Sequence, residues 1–390
     1  MIPYGRHVLE EDDIEAVVAQ LRSGWLTQGT TIGEFEDAVA AYVGVRHAVA
    51  VANGTAALHL ACLAAGVSSG DRAVTSAVSF VASANCVRYA GGEVDFCDIE
   101  RGTLNADPQH LRELARAGER LKVVIPVHMA GLPCDMAAIR EAVASAGPVV
   151  VEDAAHALGA RYRDGSKVGS CAHSDMTVFS FHPVKSIATG EGGMITTNRT
   201  DLYRRLLRLR SHGINKVDDA YQAPEQAHTG GRFNRWYYEM QELGYNFRLT
   251  DIQAALGVSQ LRKIERFLAR RRALSAAYEA AFAGAPAGIR AAQPRAEGSA
   301  RHLFIVRAPF GKGLPTRAEF MQRLFERGYA TQVHYIPIPM HPYYARRGAS
   351  MDGLPEARAY YAEGLSIPLY AGLSDEQQAA FLRAAEASIR

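Results

Sequence analysis

Along the first 45 residues the apolar positions recur every three or four. Ile14, Val17, Val18 and Leu21 share one face of a helix over Glu10–Leu21, and Thr31–Tyr42 repeats the pattern until Gly44 stops it. Between them lies Gly24-Trp25-Leu26-Thr27-Gln28-Gly29, a turn-rich segment that either joins two helices or lines a cleft. From Ala48 the pattern changes. A short apolar strand, Ala48–Ala52, runs through Asn53-Gly54-Thr55-Ala56-Ala57 into an apolar helix, Leu58–Ala65. Further apolar runs at Ala73–Ser76, Val94–Cys97, Val123–Val127, Val149–Glu152 and Val178–Ser180 read as strands. Helical stretches such as Val81–Tyr89 and Met136–Ala144 lie between some of them. Alternation of this kind predicts an α/β fold with a mostly parallel sheet covered by helices, whose ligands bind at the carboxyl ends of the strands.

The second half is less regular. Asp218–Tyr238 is polar, rich in Gly, Gln and aromatic residues, and aperiodic, so it reads as a long loop. Asp251–Phe282 reads as one long helical stretch with Leu261, Ile264 and Leu268 on its apolar side. After an Ala/Pro/Gly-rich segment, 283–298, comes a smaller α/β unit: strand His302–Val306, helix Arg317–Arg327, strand Thr331–Tyr335 and a terminal helix near Asp375–Ser388. The expected division is a large domain, 1–250, followed by a linking helix and small domain, 251–390.

Composition narrows the function. A net charge of +2 gives no footprint for nucleic acid or for a membrane surface, so small-molecule chemistry is favoured. Five cysteines without a CxxC pair argue against a disulfide framework and a structural zinc site. With no apolar leader or spanning segment, the expected setting is the cytoplasm. Basic residues are mostly arginine, and lysine occurs only at 122, 167, 185, 216, 263 and 312. Lys263, on an amphipathic helical pattern, reads as solvated surface; Lys122 opens an apolar run, and Lys167, Lys216 and Lys312 sit in polar turns. Lys185 differs, standing between the strand end Val178–Ser180 and the glycine-rich turn Gly190–Gly193. A buried ammonium without a partner is costly, so such a lysine either loses its proton or is consumed in an imine.

Three other features fall at strand ends. The Gly54–Thr55–Ala56 turn opens a helix whose free N–H groups suit a single phosphate, and there is neither a Walker loop nor GxGxxG. Phe80 offers an aromatic face, and Asp153 is followed three residues on by His156. Each has an ordinary alternative: Asp153 as a helix cap, Phe80 as core, His156 as a satisfied buried histidine, Lys185 as a surface residue. Jointly they match the needs of pyridoxal phosphate. Lys185 would take the aldehyde, Asp153 the pyridinium nitrogen, the Gly54–Ala56 amides and Ser180 the phosphate, Phe80 the ring face, and His156 the ring hydroxyl. The glycines of Gly190–Gly193 would let backbone approach the cofactor closely.

The same residues carry a resemblance. LTQG at Leu26–Gly29, NGTAALHLA at Asn53–Ala61, SFVASAN at Ser79–Asn85, EDAAHALGA at Glu152–Ala160, SFHPVK at Ser180–Lys185 and GEGG at Gly190–Gly193 resemble the DegT-type sugar aminotransferases, nearly end to end. The resemblance implies a fold-type I architecture, with a large lobe built on a sandwiched, mostly parallel sheet and a smaller C-terminal α/β lobe. Within that family the chain is most similar to the UDP-4-amino-4,6-dideoxy-N-acetyl-β-L-altrosamine transaminases of pseudaminic acid synthesis, through Trp236–Gly257 and Val333–Tyr344. That implies L-glutamate as donor and a UDP-linked 4-keto-6-deoxy-N-acetylhexosamine as acceptor, in a homodimer with shared active sites. Asn246 matches the residue that reaches the neighbouring subunit's cofactor phosphate; Arg248 becomes the candidate for the donor carboxylate, and Thr27 and His334 candidates for substrate contact. Some relatives replace the lysine by histidine and become dehydratases, whereas Lys185 is retained here. Ala188 stands where the family often has threonine, at a position expected to face cofactor or sugar. The alternatives are the same chemistry on another nucleotide-linked ketosugar, a non-catalytic pyridoxal phosphate-binding regulator, and a Rossmann-like oxidoreductase, the last disfavoured by the missing dinucleotide loop.

Overall fold

The structure is a computed structural model that describes residues 1–117, 121–215, 221–283 and 288–389. Helices α1 (Glu11–Arg22) and α2 (Thr31–Val43) precede strand β1 (His47–Val51). Gly44, at φ +79°, ends α2 in the left-handed conformation that costs glycine nothing. Then follow α3 (Gly54–Ala64), β2 (Arg72–Ser76), α4 (Ala82–Tyr89), β3 (Glu93–Cys97), α5 (Pro108–Arg116), β4 (Leu121–Ile125), α6 (Met136–Val143), β5 (Val149–Asp153), β6 (Met176–Ser180), β7 (Gly193–Thr197) and α7 (Thr200–Arg210). The order in the large sheet is β1-β7-β6-β5-β4-β2-β3. β2 to β6 run parallel, and β7 lies antiparallel between β1 and β6.

Both faces of the sheet are covered, which explains why its strands are apolar at successive positions. Ala48, Ala50, Val124 and Val150 point into a core with α2, α6 and the later helices. Val49, Val51, Val123 and Val151 point into a second core with α3, α4 and α7. The C-terminal lobe is a three-stranded antiparallel sheet of Arg290–Ala291, Phe304–Arg307 and Gly364–Ile367. Helices Arg317–Glu326 and Asp375–Ile389 pack on it around Tyr278, Phe304 and Phe381. A further cluster, with Val78, Ile99 and Met129 on one side and Leu303, Ile305 and Tyr360 on the other, joins this lobe to the large sheet.

Several expectations are corrected. α1 turns its polar face inward: Asp13 is 1% exposed, while Ile14 is 50% and Leu21 51% exposed. The reason is Lys263, which the sequence suggested was solvated surface. Asp251–Phe282 is not one helix but two, α8 (Asp251–Leu261) and α9 (Ile264–Phe282), and Lys263 sits buried at their junction. Its Nζ lies 2.6 Å from Asp12 and 2.8 Å from Asp13. Ser259 and Gln260 complete the shell of Asp13, donating at 2.6 and 2.7 Å. Periodicity counts apolar residues, so it cannot see a helix docked through its carboxylates. Thr331–Tyr335 is not a strand; only Gln332 makes a single bridge to Ser366. The sheet position belongs to Gly364–Ile367, hidden in the sequence because it follows a helix without a turn. The expected loop over Asp218–Tyr238 contains a short hairpin, His228–Thr229 with Arg232–Phe233; its first three residues and Lys216 lie outside the described residues.

Candidate active site

At the carboxyl ends of β4, β5 and β6 opens a cavity of about 1170 Å³. Gly54, Thr55, Ala56, Phe80, Asp153, His156, Ser180, Lys185 and His334 all line it, so nine residues singled out from the sequence meet at one place. Thr27, Asn246 and Arg248 do not line it. Thr27 and Asn246 are exposed, and Arg248 is bridged to Val51 at the edge of the sheet.

Lys185 reaches the cavity from the loop after β6, with its own N–H donated to the His182 carbonyl at 2.8 Å. Desolvation pulls its amine down to about 8, and the charge of Asp153 opposes this only in part. An amine so placed is near balance between its two protonation states at ordinary pH, which is what a group that gives and takes a proton requires.

Opposite Lys185 the C-terminal lobe contributes a wall of neutral rings that sequence reasoning largely missed. His302 lies 4.4 Å from His156, ring to ring, and the Tyr335 hydroxyl is 3.1 Å from His156 Nε2. Burial first, and the nearby Lys185 charge second, hold His156 well below the usual imidazole range, and His334 falls to about 3 for the same two reasons. His302 is likewise lowered, chiefly by burial. His334 Nδ1 is engaged by the Ser366 hydroxyl at 2.8 Å. His302 immediately precedes the apolar run Leu303–Val306, which masks it as core.

The anion loop is built by close approach. Asn53 caps α3, its Oδ1 accepting the Ala56 N–H at 2.8 Å. That takes one of the three amides expected to hold phosphate and leaves those of Gly54 and Thr55. A Cβ on Gly54 would lie 2.9 Å from the Ser180 Cβ, so glycine is what lets the helix N-terminus and Ser180 share a corner of the cavity. The glycines after Lys185 act one layer behind. A Cβ on Gly193 would lie 2.5 Å from the Asn53 carbonyl oxygen, and of Gly190–Gly193 only Glu191 reaches the cavity. Gly193 thus brings β7 against the Asn53 loop, and the turn meets the cavity at Glu191. Ala188 is also corrected: it is buried outside the cavity, with its N–H 3.4 Å from Gln260 Oε1.

Asp153 ends β5 on the cavity floor. Its Oδ2 accepts from the Ser83 hydroxyl at 2.6 Å and its Oδ1 from the Ala155 N–H at 3.1 Å. Phe80 is 56% exposed two residues ahead of α4, its ring 6.1 Å from Tyr335. A glycine cradle at a helix N-terminus, a carboxylate held on both oxygens, an open aromatic face and a desolvated lysine fit a phosphorylated pyridine aldehyde in size and charge. Among the described residues no group of side chains could hold a metal ion, and no helix is long and apolar enough to cross a membrane.

Fold and site together define the class, an α/β enzyme that works through pyridoxal 5′-phosphate. Residues 7–385 match the DegT/DnrJ/EryC1/StrS aminotransferase family, and the chain belongs to it. It is 38% identical over 377 residues to the spore coat polysaccharide biosynthesis protein SpsC of Bacillus subtilis, covering 96% of this chain and 94% of that protein. It is 36% identical over 370 residues to the GDP-perosamine synthase of Caulobacter vibrioides, covering 94% and 92%. Among solved structures it resembles Helicobacter pylori PseC, an aminotransferase of pseudaminic acid biosynthesis, with a TM-score of 0.89 at 29% identity over 100% of this chain and 99% of that one. The chain is thus a sugar aminotransferase dependent on pyridoxal phosphate.

Proposed function

We propose that the chain transfers the amino group of L-glutamate to the 4-keto carbon of a UDP-linked 6-deoxy-N-acetylhexosamine, forming UDP-4-amino-4,6-dideoxy-N-acetyl-β-L-altrosamine for pseudaminic acid synthesis. The observation that carries this reading is the full-length likeness to PseC, together with Lys185 and Asp153 facing one cavity. When bound, pyridoxal phosphate supplies the carbonyl that accepts the amino group and the ring that withdraws electrons from the carbon losing its proton. Lys185 takes that proton from the donor's α carbon and later returns one to the sugar carbon. Asp153 holds the pyridine nitrogen in its charged form, Phe80 covers the ring, His156 faces the ring hydroxyl, and Gly54, Thr55 and Ser180 hold the phosphate. The neutral wall of His302, His334 and Tyr335 excludes water without adding a charge that would hold Lys185 protonated or deprotonated.

Asn246 is exposed and outside this chain's own cavity, a position compatible with its assignment to a second subunit's site in a homodimer. Asn246 would then reach the partner's phosphate and Arg248 the donor carboxylate, with Thr27 and His334 on the substrate. The proposed division is a cofactor domain, 1–250, and a C-terminal domain, 251–390, with the three histidine and tyrosine wall residues on the latter. Five free, buried cysteines suit a reducing cytoplasm.

The test is amination by the purified protein of UDP-linked 4-keto sugars of L-altro and D-xylo configuration, each with L-glutamate. Turnover of the L-altro substrate is expected; turnover of the D-xylo substrate alone refutes the assignment. A second reading, the same chemistry on a GDP-linked 4-keto sugar, is favoured by the likeness to GDP-perosamine synthase and is separated by adding that substrate to the panel.

A further inference from the structure

Asp153 is served by a pair of hydroxyls whose direction can be worked out. A carboxylate only accepts hydrogen bonds, and a serine hydroxyl has one proton to give. Ser83 Oγ lies 2.6 Å from Asp153 Oδ2 and 3.3 Å from the Phe80 carbonyl oxygen, and the shorter contact to the charged acceptor takes its proton. Ser79 Oγ lies 2.7 Å from Ser83 Oγ, and with Ser83's proton already spent, Ser79 must be the donor between them. The chain of bonds therefore runs Ser79 to Ser83 to Asp153. Ser79 touches the cavity, whereas Ser83 does not. Both are buried, at 2% and 0% exposure, where a hydroxyl chain is strengthened by its own polarisation.

The geometry fixes more than a contact. The terminal torsion of an aspartate is broad, so one bond alone leaves the carboxylate free to rotate. Here Ser83 holds Oδ2 and the Ala155 N–H holds Oδ1, which sets the plane of the group. Ser83 stands in the first turn of α4, which is itself tied to the C-terminal lobe by the Tyr344 hydroxyl bonding Asn85 at 2.6 Å. One of the two bonds that set the plane of Asp153 thus comes from a helix that β5 does not carry.

We propose that Ser83, backed by Ser79, is a positioning residue that aligns Asp153 with the pyridine nitrogen of the cofactor and keeps that nitrogen protonated. The inference rests on the reading of Asp153 as the nitrogen's partner. It accounts for two buried hydroxyls, four residues apart, that neither the phosphate cradle nor the lysine uses.

The test uses holoenzyme loaded with ring-15N pyridoxal phosphate. Ser83→Ala is expected to move the ring-nitrogen resonance toward its unprotonated position, and Ser79→Ala to move it less in the same direction. In Ser83→Ala, kcat is expected to fall by roughly ten- to a hundredfold, the size of one charge-assisted hydrogen bond, while KM for L-glutamate stays within about twofold. Ser83→Thr, which keeps the hydroxyl, is expected to restore the resonance. Should Ser83→Ala fail to fold, Ser79→Ala carries the measurement, since it leaves Asp153 its direct donor. A wild-type resonance in the serine-to-alanine variants overturns the inference and leaves Asp153's role intact. A wild-type resonance in Asp153→Asn overturns the reading beneath it.

Discussion

Two lysines of this chain are withdrawn from water, and their surroundings are opposite. Lys263, where α8 meets α9, has Asp12 and Asp13 within 2.8 Å and Glu10 at 3.6 Å. Burial lowers its pKa, but the hydrogen bonds it donates to Asp12 and Asp13 outweigh that and the net shift is upward. Lys185 makes no ion pair among the described residues; desolvation prevails and its pKa falls to about 8. The first amine is locked as a cation and holds helices together. The second is kept uncommitted, which is of no structural use and of direct chemical use. What separates the structural lysine from the reactive one here is the carboxylates within reach: Lys263 is paired with three, whereas Lys185 feels only the opposing charge of Asp153.

The comparison can be tested, beginning with the largest effect. Lys185→Ala is expected to lower single-turnover amine transfer by about 10⁴-fold, the upper range for a positioned acid–base group, with thermal stability unchanged or raised. Borohydride reduction of the loaded wild-type protein followed by peptide mapping should place the cofactor on Lys185, and a label elsewhere breaks the contrast. Lys263→Met is expected to do the reverse. It should cost about 2–4 kcal/mol in denaturant unfolding by leaving Asp13 buried without its cation, while the folded fraction keeps its kcat. Adding Asp13→Leu to it should recover part of that loss, and simple additivity would show that the pair is not coupled.

The pH dependence should differ in sign. The Lys185 amine titrates lower in the folded apo-protein than in the unfolded chain, so the unfolded state binds the extra proton between about 8 and 10.5; stability from this site rises with pH across that window. Lys263 titrates higher when folded, so its contribution is complete below 10.5 and is lost as pH rises through the raised value. Unfolding of Lys185→Ala and Lys263→Met against pH, each compared with wild type, separates the two slopes. The smallest effect tests α1. Ile14→Gln should change stability by less than about 0.5 kcal/mol, since this helix docks by its carboxylates and Ile14 faces out.

The same pair of lysines shows what the sequence can and cannot disclose. Parallel strands buried on both faces are legible as apolar runs, so β2 to β6 and the residues at their ends could be read in order. Asp153 is legible because it ends an apolar run, Phe80 because it opens a helix after a strand, and Lys185 because it stands between an apolar run and a glycine-rich turn. The role of Lys263 is not legible because its partners lie some 250 positions away in the chain, and spacing says nothing about a carboxylate brought in by folding. Ser79 and Ser83 were visible four apart in SFVASAN, but nothing local marks them as serving Asp153. The wall of His302, His334 and Tyr335 depends on how the C-terminal lobe meets the sheet, and that contact is written in no single motif.

The antiparallel wedge of β7 between β1 and β6 has a consequence for how the protein is made. Until Gly193–Thr197 has left the ribosome, β1 has no neighbour in the large sheet, and the Asn53 carbonyl lacks the close backbone contact that Gly193 gives it. The five parallel strands, with Asp153 at the end of β5, all precede β7 in the chain, so the strand that braces the Asn53 loop is the last of the large sheet to be made. The phosphate corner is therefore complete only once the strand following the lysine loop stands between β1 and β6.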